Sequence, residues 1–209
     1  FLIYTNGMFY LTEFRFEAAF GDLQIVKKAC YTVNESPVAD LNLNALLEQI
    51  QPTEEPQDIP YPQANDLDKV IDLVNRVDEG IQTKGDIAEY FEFDERQGDY
   101  YANAAAYLGL IQKENHEFVL TEDGRKFIQL KNRAARIQVV VELMLLRPSL
   151  HRVFQELSKH SMDIESVSKQ DIAQIIEANT SLSGSTPMRR ASTVMSWVRW
   201  SSDNIQSLV

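Results

Sequence analysis

Apolar positions recur along the chain with two different spacings, and the change between them separates a β part from a helical part. Between residues 1 and 33 apolar and polar residues alternate in short runs, and Asn6-Gly7 is a favoured hairpin turn. From residue 66 onward apolar residues such as Leu67 and Val70 recur every three or four positions, which is the helical period. The predicted fold class is α+β, mostly α, with a small N-terminal antiparallel β portion of three or four strands.

Capping residues and apolar spacing predict the helices of the second part and one hairpin. The expected helices begin at residue 66 and continue as Thr83–Phe91, Arg96–Leu110, Thr121–Ile128, Ala134–Leu146, Leu150–His160, Ser168–Glu177 and Thr186–Trp200. A hairpin is expected between Ile111 and Val119, around Glu114-Asn115-His116. The order of three helices followed by a hairpin is that of a winged helix, which elaborates the helix-turn-helix.

A short repeat predicts a second unit of the same kind. Lys84-Gly-Asp-Ile-Ala and Lys169-Gln-Asp-Ile-Ala lie about 85 residues apart, each at the second helix of a helix-turn-helix pattern. The helices Arg96–Leu110 and Thr186–Trp200 then take equivalent recognition-helix positions. We therefore expect two winged-helix or helix-turn-helix units.

The segment before the helical part is rich in proline and acids. Residues 51–63 contain four prolines, which favour extended backbone, although Leu41–Ile50 has the pattern of a short helix. The predicted organisation has four parts. They are a β portion over residues 1–35, a Pro-rich acidic linker over 36–65, a first winged-helix unit over 66–130 and a second, winged-helix-like unit over 131–209.

Charge is distributed unevenly. The net charge is −11, but residues 1–130 carry 10 basic and 24 acidic residues, whereas residues 131–209 carry 10 basic and 7 acidic residues. The C-terminal part is thus mildly basic, which permits contact with nucleic acid. No membrane-spanning run or signal pattern is present, and Cys30 is the single cysteine, so we expect a reduced, cytoplasmic protein. The chain begins at Phe1 within a strand-like run, so we expect a fragment of a longer protein.

The last predicted helix carries the clearest candidate site. Pro187 follows two hydroxyl residues, a strong helix start, and Ala191, Val194 and Val198 form an apolar stripe. The paired arginines near the start suit contact with phosphates or guanine edges, while Trp197 is expected to anchor the helix to the core, as is Trp200. The predicted DNA-binding residues are Ser185, Thr186, Arg189, Arg190, Thr193, Arg199 and Lys169.

Several spaced motifs resemble a known family over residues 58–205. They are Ile59-Pro-Tyr-Pro-x-Ala-Asn65, Lys84-Gly-Asp-Ile-Ala, Arg96-Gln-Gly-Asp-Tyr-Tyr101, Ala106-Tyr-Leu-Gly-Leu110 and Ser185-Thr-x-x-Arg-Arg-Ala-x-Thr-Val-x-x-Trp-Val-x-Trp200. Together they resemble the tandem winged-helix DNA-binding module of bacterial restriction-modification proteins of the type II restriction endonuclease-like kind. The resemblance implies a target-recognition or regulatory part of a defence protein that binds double-stranded DNA, attached to an endonuclease.

The chain itself lacks the pattern of a complete catalytic site. Restriction-type nucleases place an acid two residues before a lysine, but Ile25 and Val26 precede Lys27 and Lys28 at that spacing. The three acids Glu13, Glu17 and Asp22 are more typical of a solvated surface than of metal ligands. No ligand spacing joins the histidines His116, His151 and His160. We expect no catalytic residue, metal or cofactor in this fragment, and Mg²⁺ only in an upstream nuclease domain; whether the fragment acts as an enzyme stays open.

A second function class fits the acidic first unit. In this alternative the winged helices form a protein-interaction or dimerisation module without direct DNA contact, and the basic residues pair with acidic neighbours. A homodimer is then the natural assembly. The two classes differ in whether Arg189 and Arg190 are free on the surface or engaged in ion pairs.

Overall fold

This computed structural model describes residues 42–160 and 162–206, together with the backbone of residues 2–5, 8–19 and 22–33. The chain divides into two units, Phe1–Ala39 and Asp40–Val209. No helix within the described residues is long and apolar enough to cross a membrane.

The first unit contains an antiparallel sheet of three strands in the order β1-β2-β3. The strands are β1 (Leu2–Thr5), β2 (Met8–Ala19) and β3 (Asp22–Val33). The register pairs Tyr10 of β2 with Ile3 and Thr32 on its two sides, and it shifts between Glu13 and Phe14. The expectations for the Asn6-Gly7 turn and for the side chains of Glu13, Glu17, Asp22 and Cys30 lie outside the described residues.

The second unit is mostly helical, as the spacing predicts. Its elements in chain order are α1 (Leu43–Gln49), α2 (Leu67–Asp78), α3 (Lys84–Phe91), α4 (Glu95–Tyr107), β4 (Ile111–Glu114), β5 (Glu117–Leu120), α5 (Glu122–Gln129), α6 (Arg133–Leu145), α7 (Pro148–Ser158), a 3₁₀ turn (Ile164–Ser166), α8 (Lys169–Asn179) and α9 (Thr186–Gln206). The antiparallel sheet of this unit is the hairpin β4–β5, in the middle of the chain. Most helix bounds agree with the sequence within a few residues, although α9 continues past Trp200.

The hairpin has a tight turn and is attached to the helices before it. Asn115 and His116 have φ values of 47° and 73°, the left-handed pair that a two-residue type I′ turn requires. Ile111 pairs with Leu120 in the register of β4 and β5. The backbone N–H of Phe118 donates to the carbonyl of Gln82, between α2 and α3, at 2.7 Å. The hairpin therefore extends directly from the three-helix group α2–α4.

The proline-rich segment is packed against the helices rather than linking two domains. We call residues 51–65 the strap. The Thr53 N–H donates to the carbonyl of Leu146 at 2.9 Å, and Tyr61 and Ala64 are buried. A proline has no backbone N–H. An extended Pro-rich segment can therefore lie on an apolar surface while burying few N–H groups without a hydrogen-bond acceptor. Within the predicted linker over 36–65, the strap is therefore packed as part of the helical unit.

The two predicted helical units share one hydrophobic core. Buried residues from both halves belong to a single cluster, including Leu73 and Tyr107 from the first and Val140 and Trp197 from the second. The division at residue 130 is accordingly not a boundary between compact units; the boundary lies between Ala39 and Asp40. The reason is that α9 packs back onto the strap and α2, at the other end of the unit.

The repeated Lys-x-Asp-Ile-Ala motif forms the same structure twice. Thr83 caps α3 and Ser168 caps α8, and each accepts the backbone N–H of an aspartate three residues later, Asp86 or Asp171, whose carboxylate accepts the cap's own N–H. These are capping boxes. The hydroxyl and backbone hydrogen bonds lower the pKa of both aspartates. The repeat is therefore a repeated helix start, with buried isoleucine and alanine behind it.

Removing either cap hydroxyl is expected to lower stability. Thr83→Ala and Ser168→Ala each leave an N-terminal N–H group without its acceptor, at a cost of about 1 kcal/mol. Folding lowers the pKa of both aspartates, so their ionised carboxylates stabilise the folded state. This contribution to the free energy of unfolding is present above about pH 4 and is lost as the pH falls through the lowered pKa values. Urea unfolding at pH 7 and pH 3 measures both effects. Thr83→Ser retains the hydroxyl and should unfold like the wild type; equal losses in Thr83→Ser and Thr83→Ala would contradict the capping role.

Candidate nucleic-acid interface

The C-terminal half of α9 is anchored in the core. Trp197 is 0% exposed, and its indole N–H donates to the carbonyl of Ala64 in the strap at 2.8 Å. The indole N–H of Trp200 donates to Asp68 Oδ1 of α2 at the same distance. The prediction that both tryptophans are packing residues is confirmed. This anchoring fixes the direction of α9 and thereby the position of its N-terminal turn.

Three of the residues predicted to bind DNA do not belong to the exposed N-terminal turn of α9. Thr193 is buried, and its hydroxyl donates to Asn65 Oδ1 at 2.7 Å. Arg199 forms an ion pair of 3.3 Å with Glu165 of the 3₁₀ turn. Lys169 is exposed at the first turn of α8, and no contact joins it to the other predicted residues within the part of the chain that the structure describes. The prediction for Thr193 is wrong because the strap covers that flank of the helix.

The N-terminal turn of α9 keeps the other four predicted residues together. Ser185 and Arg189 are exposed, and Thr186 and Arg190 are half-buried. Neither arginine forms an ion pair with any described residue. The Nε of Arg190 is buried without a hydrogen-bond partner among those residues. This turn also carries the positive end of the helix dipole.

Helix α4 brings a third arginine to the same place. The guanidinium of Arg96 lies 5.4 Å from the ring centre of Tyr100, and its Nε donates to the Tyr100 hydroxyl. Arg190 interacts electrostatically with the same hydroxyl and with Arg189. We call Arg96, Arg189 and Arg190 the arginine cluster, because Arg96 and Arg190 both interact with Tyr100 and Arg189 interacts with Arg190. Helices α4 and α9, which follow the two copies of the repeated motif, thus both contribute side chains to the arginine cluster.

The electrostatic surroundings of Arg190 are positive. Burial lowers the pKa of Arg190, repulsion from Arg189 lowers it further, and Tyr100 partly opposes both effects. The carboxylates next to Arg96 on α4 have other partners. Glu95 pairs with Lys84 at 2.8 Å, and Asp99 accepts a hydrogen bond from Asn103 at 2.9 Å. An incoming anion would therefore supply the negative charge that the described residues do not.

Sequence reasoning missed the contribution of α4. The acidic residues of the first unit favour the protein-interaction alternative in the sequence, whereas in the structure Glu95 pairs with Lys84 and Asp99 with Asn103. The signal that identifies Arg96 is the internal repeat, since it assigns α4 and α9 equivalent positions. The sequence contains no signal that Arg190 of α9 and Arg96 of α4 interact with the same tyrosine.

The histidines and acids of the described residues do not form a metal site. No group of three or more His, Cys, Asp or Glu side chains there is arranged to hold a metal ion. His116 is exposed at the hairpin turn. His151 is 3% exposed, and its Nδ1 lies 2.9 Å from the carbonyl of Leu145. Its role is therefore structural, at the junction of α6 and α7.

One comparison with known proteins gives a match. The model of a family described as a domain of unknown function (DUF7226) matches residues 69–206. No curated protein and no solved structure matches the chain. The matched range includes α4 and the N-terminal turn of α9, so the whole arginine cluster lies within it.

Proposed function

The chain belongs to the family defined by this domain of unknown function, DUF7226, and we propose that this member binds double-stranded DNA through the arginine cluster. The observation that carries the proposal is that Arg96 and Arg190 interact with the same side chain, Tyr100, while Arg189 lies beside Arg190, and that none of the three arginines forms an ion pair with a described carboxylate. Guanidinium groups without a carboxylate partner favour the binding of a multiply charged oxyanion such as phosphate, because each guanidinium can donate a pair of hydrogen bonds to it.

The neighbouring groups fit a phosphate backbone. Ser185 and Thr186 offer hydroxyl groups beside Arg189, at the positive end of the 21-residue helix α9. Phosphate contacts of this kind position a protein on a duplex, and an exposed arginine beside them can reach a base edge. Under this proposal Arg190 and Arg96 hold phosphates, and Arg189 is the arginine available to the groove.

The element order supports a finer proposal for the first half of the unit. Helices α2, α3 and α4 followed by β4–β5 have the order of a winged helix, with the hairpin as its wing. The second half has the helix pair α8–α9, and no hairpin follows α8 or α9 within the described residues. We therefore propose a winged helix joined to a helix-turn-helix. We also propose that the chain is part of a cytoplasmic restriction-modification or defence protein. This part of the proposal rests on the motif resemblance.

A salt titration of duplex binding tests this function. Fluorescence anisotropy with a mixed-sequence duplex is expected to show binding that weakens as salt rises. The double variant Arg189→Ala/Arg190→Ala is expected to bind at least about tenfold more weakly. It should also flatten the slope of log K against log salt by about 1, because it removes the phosphate contact of Arg190 and each phosphate contact contributes about 0.9 to that slope.

A charge-matched control separates the cluster from net charge. Arg152→Ala/Lys159→Ala also removes two positive charges, from exposed side chains of which one is hydrogen-bonded to Gln155 and one is paired with Glu156. This control should bind within about twofold of the wild type, since exposed ion pairs and single surface charges contribute little. Equal weakening in both double variants, or wild-type affinity in Arg189→Ala/Arg190→Ala, would contradict the proposal.

The alternative function, protein interaction or dimerisation, is supported by a different surface. Tyr90 is exposed, and beside it the rings of Phe91, Phe93 and Tyr101 stack at centre distances of 4.8 to 6.4 Å while remaining half-buried. Partly exposed aromatic groups are typical of protein contacts. Absence of duplex binding by the wild type at low salt would favour this alternative over the DNA proposal.

A further inference from the structure

A run of basic residues joins α5 to α6, and no function has been assigned to it above. Residues 125–136 contain five lysines and arginines and no aspartate or glutamate, in a chain whose net charge is −11. We call this range the basic segment. Its basic side chains are Arg125, Lys126, Lys131, Arg133 and Arg136. All of them are exposed except Arg136, which is half-buried, so the segment presents positive charge to the solvent.

Two exposed arginines of the basic segment are held in place by neutral groups rather than by carboxylates. Arg125 donates from Nη1 to the backbone carbonyl of Leu120 at 2.7 Å. Arg133 donates from Nη2 to Asn204 Oδ1 of α9 at 2.8 Å. A guanidinium has five N–H donors, so each arginine keeps further donors after this contact. The contacts therefore fix the positions of both arginines and leave their positive charges uncompensated.

Arg136 and Lys131 extend the same positive surface. Arg136 donates to Asn75 Oδ1 at 2.6 Å, and its guanidinium lies 5.0 Å from the centre of the Phe127 ring. Asn75 lines a cleft of about 520 Å³ that Arg125 and Lys131 also line. The ammonium group of Lys131 has no hydrogen-bond or ion-pair partner among the described residues. The basic side chains therefore form one continuous surface rather than isolated charges.

Carboxylates neutralise only part of this surface. Lys126 pairs with Glu122 and Asp123, at 2.8 Å and 3.5 Å. Two other carboxylates, those of Asp78 and Glu79, line the cleft, and Glu79 pairs with an arginine of α2. The remaining four basic residues of the basic segment form no ion pair with any described residue. The exposed Asp78 therefore leaves an excess of positive charge there.

The basic segment and the arginine cluster lie near opposite ends of α9. Arg190 of the cluster is close to the start of this helix, and Asn204, which accepts the hydrogen bond from Arg133, is close to its end. At 1.5 Å per residue, the two positions are about 21 Å apart along the helix axis. One phosphate group cannot contact both positions, so the two surfaces would bind different phosphates.

We propose that the basic segment is a second contact for the phosphate backbone of the same duplex that the arginine cluster binds, an inference that rests on the proposed function. Arginines held by neutral groups can donate paired hydrogen bonds to phosphate without first breaking an ion pair. Duplex DNA carries one charge per about 1.7 Å of its axis, so phosphates are available to both surfaces. Lys131 and Arg133 contact phosphates, and Arg125 and Arg136 add positive charge beside them. Such contacts raise the affinity for any duplex sequence.

Fluorescence anisotropy with a mixed-sequence duplex at several salt concentrations tests the second contact on the whole chain. Lys131→Gln/Arg133→Gln is expected to bind about tenfold more weakly than the wild type. It should flatten the slope of log K against log salt by about 2, because it removes two phosphate contacts of about 0.9 each. Lys131→Gln alone breaks no contact within the described residues and should flatten the slope by about 1.

A matched control removes the same net charge from lysines that already have carboxylate partners. Lys126→Gln/Lys159→Gln should bind within about twofold of the wild type, because Lys126 pairs with Glu122 and Lys159 with Glu156. Equal weakening in this control and in Lys131→Gln/Arg133→Gln would overturn the second contact, since net charge would then account for the loss.

Combining the two surfaces separates this inference from the proposed function. Sites more than about 10 Å apart act independently, so the losses in log K should add when Lys131→Gln/Arg133→Gln is joined to Arg189→Ala/Arg190→Ala. A wild-type slope in Lys131→Gln and in Lys131→Gln/Arg133→Gln, with weakened binding in Arg189→Ala/Arg190→Ala, would overturn the second contact and leave the DNA proposal standing. Absence of duplex binding by the wild type would overturn both.

Discussion

Gly124→Ala is expected to destabilise residues 40–209 by about 3 kcal/mol, the upper range for forcing an atom into a packed site. Gly124 lies in the first turn of α5, and a Cβ added there would stand 1.9 Å from the carbonyl oxygen of Leu110 and 3.3 Å from Leu120 Cδ2. The backbone of Leu110 cannot move aside easily, because its carbonyl already accepts hydrogen bonds from the N–H and the hydroxyl of Thr121. Either α5 or the start of β4 must shift.

Urea unfolding followed by circular dichroism measures this loss, and Gly85→Ala is the matched control. At Gly85, in the first turn of α3, the nearest atom to an added Cβ is Thr83 Oγ1 at 3.7 Å, an ordinary contact. Alanine there should leave stability unchanged or raise it by up to about 1 kcal/mol, because it restricts the unfolded chain and favours the helix. Equal stabilities of the two variants would show that α5 does not approach Leu110 as closely as described.

Trp197→Ala is expected to cost about 3–5 kcal/mol, the range for deleting a large buried aromatic side chain. The indole is fully buried, and it joins α9 to the strap through its hydrogen bond to Ala64. Removing it opens a cavity and leaves the Ala64 carbonyl without that donor. Loss of this anchor also frees the N-terminal turn of α9, so duplex binding should weaken together with stability.

Two further variants divide the effect of Trp197 into its parts. Trp197→Phe retains most of the ring but removes the donor, and should cost about 1–3 kcal/mol, the desolvation cost of an unpaired buried acceptor. Trp200→Phe removes a comparable hydrogen bond, to the exposed Asp68, and should cost less than about 1 kcal/mol because water replaces the donor. Urea midpoints that rank Trp200→Phe as the more damaging of the two would contradict the assignment of Trp197 as the main anchor.

Local signals in the sequence predicted the helices and the hairpin well, because caps and turns act through neighbouring residues. Thr83 and Ser168 are three residues from the aspartates that complete their boxes, and the left-handed turn at Asn115 needs only its own backbone. The strap was missed for the opposite reason. Proline content predicts extended backbone correctly, but burial of Tyr61 and Ala64 depends on helices that come much later in the chain.

The candidate site was predictable only in part for the same reason. Helix periodicity placed Arg189 beside the apolar stripe of α9, and it remains exposed. Helix periodicity did not predict that the Thr193 hydroxyl would donate a hydrogen bond to Asn65. It also did not predict that Arg96 of α4 and Arg190 of α9 would interact with the same side chain, Tyr100. Two of the spaced motifs that resemble a known family, around Ala64 and around Trp197, turn out to contact each other. The contact between Ala64 and Trp197 accounts for both motifs as residues that pack against each other.

The contact between Ala64 and Trp197 has a consequence for the order in which the protein is made. The two residues are 133 positions apart. A ribosome adding about 5–20 residues per second synthesises Trp197 roughly 7–27 seconds after Ala64. During that interval the strap has emerged without α9, and the surface around Ala64 and Asn65 lacks its final partner. The nascent chain is therefore most exposed to aggregation, and most in need of chaperone protection, until its last helix leaves the ribosome.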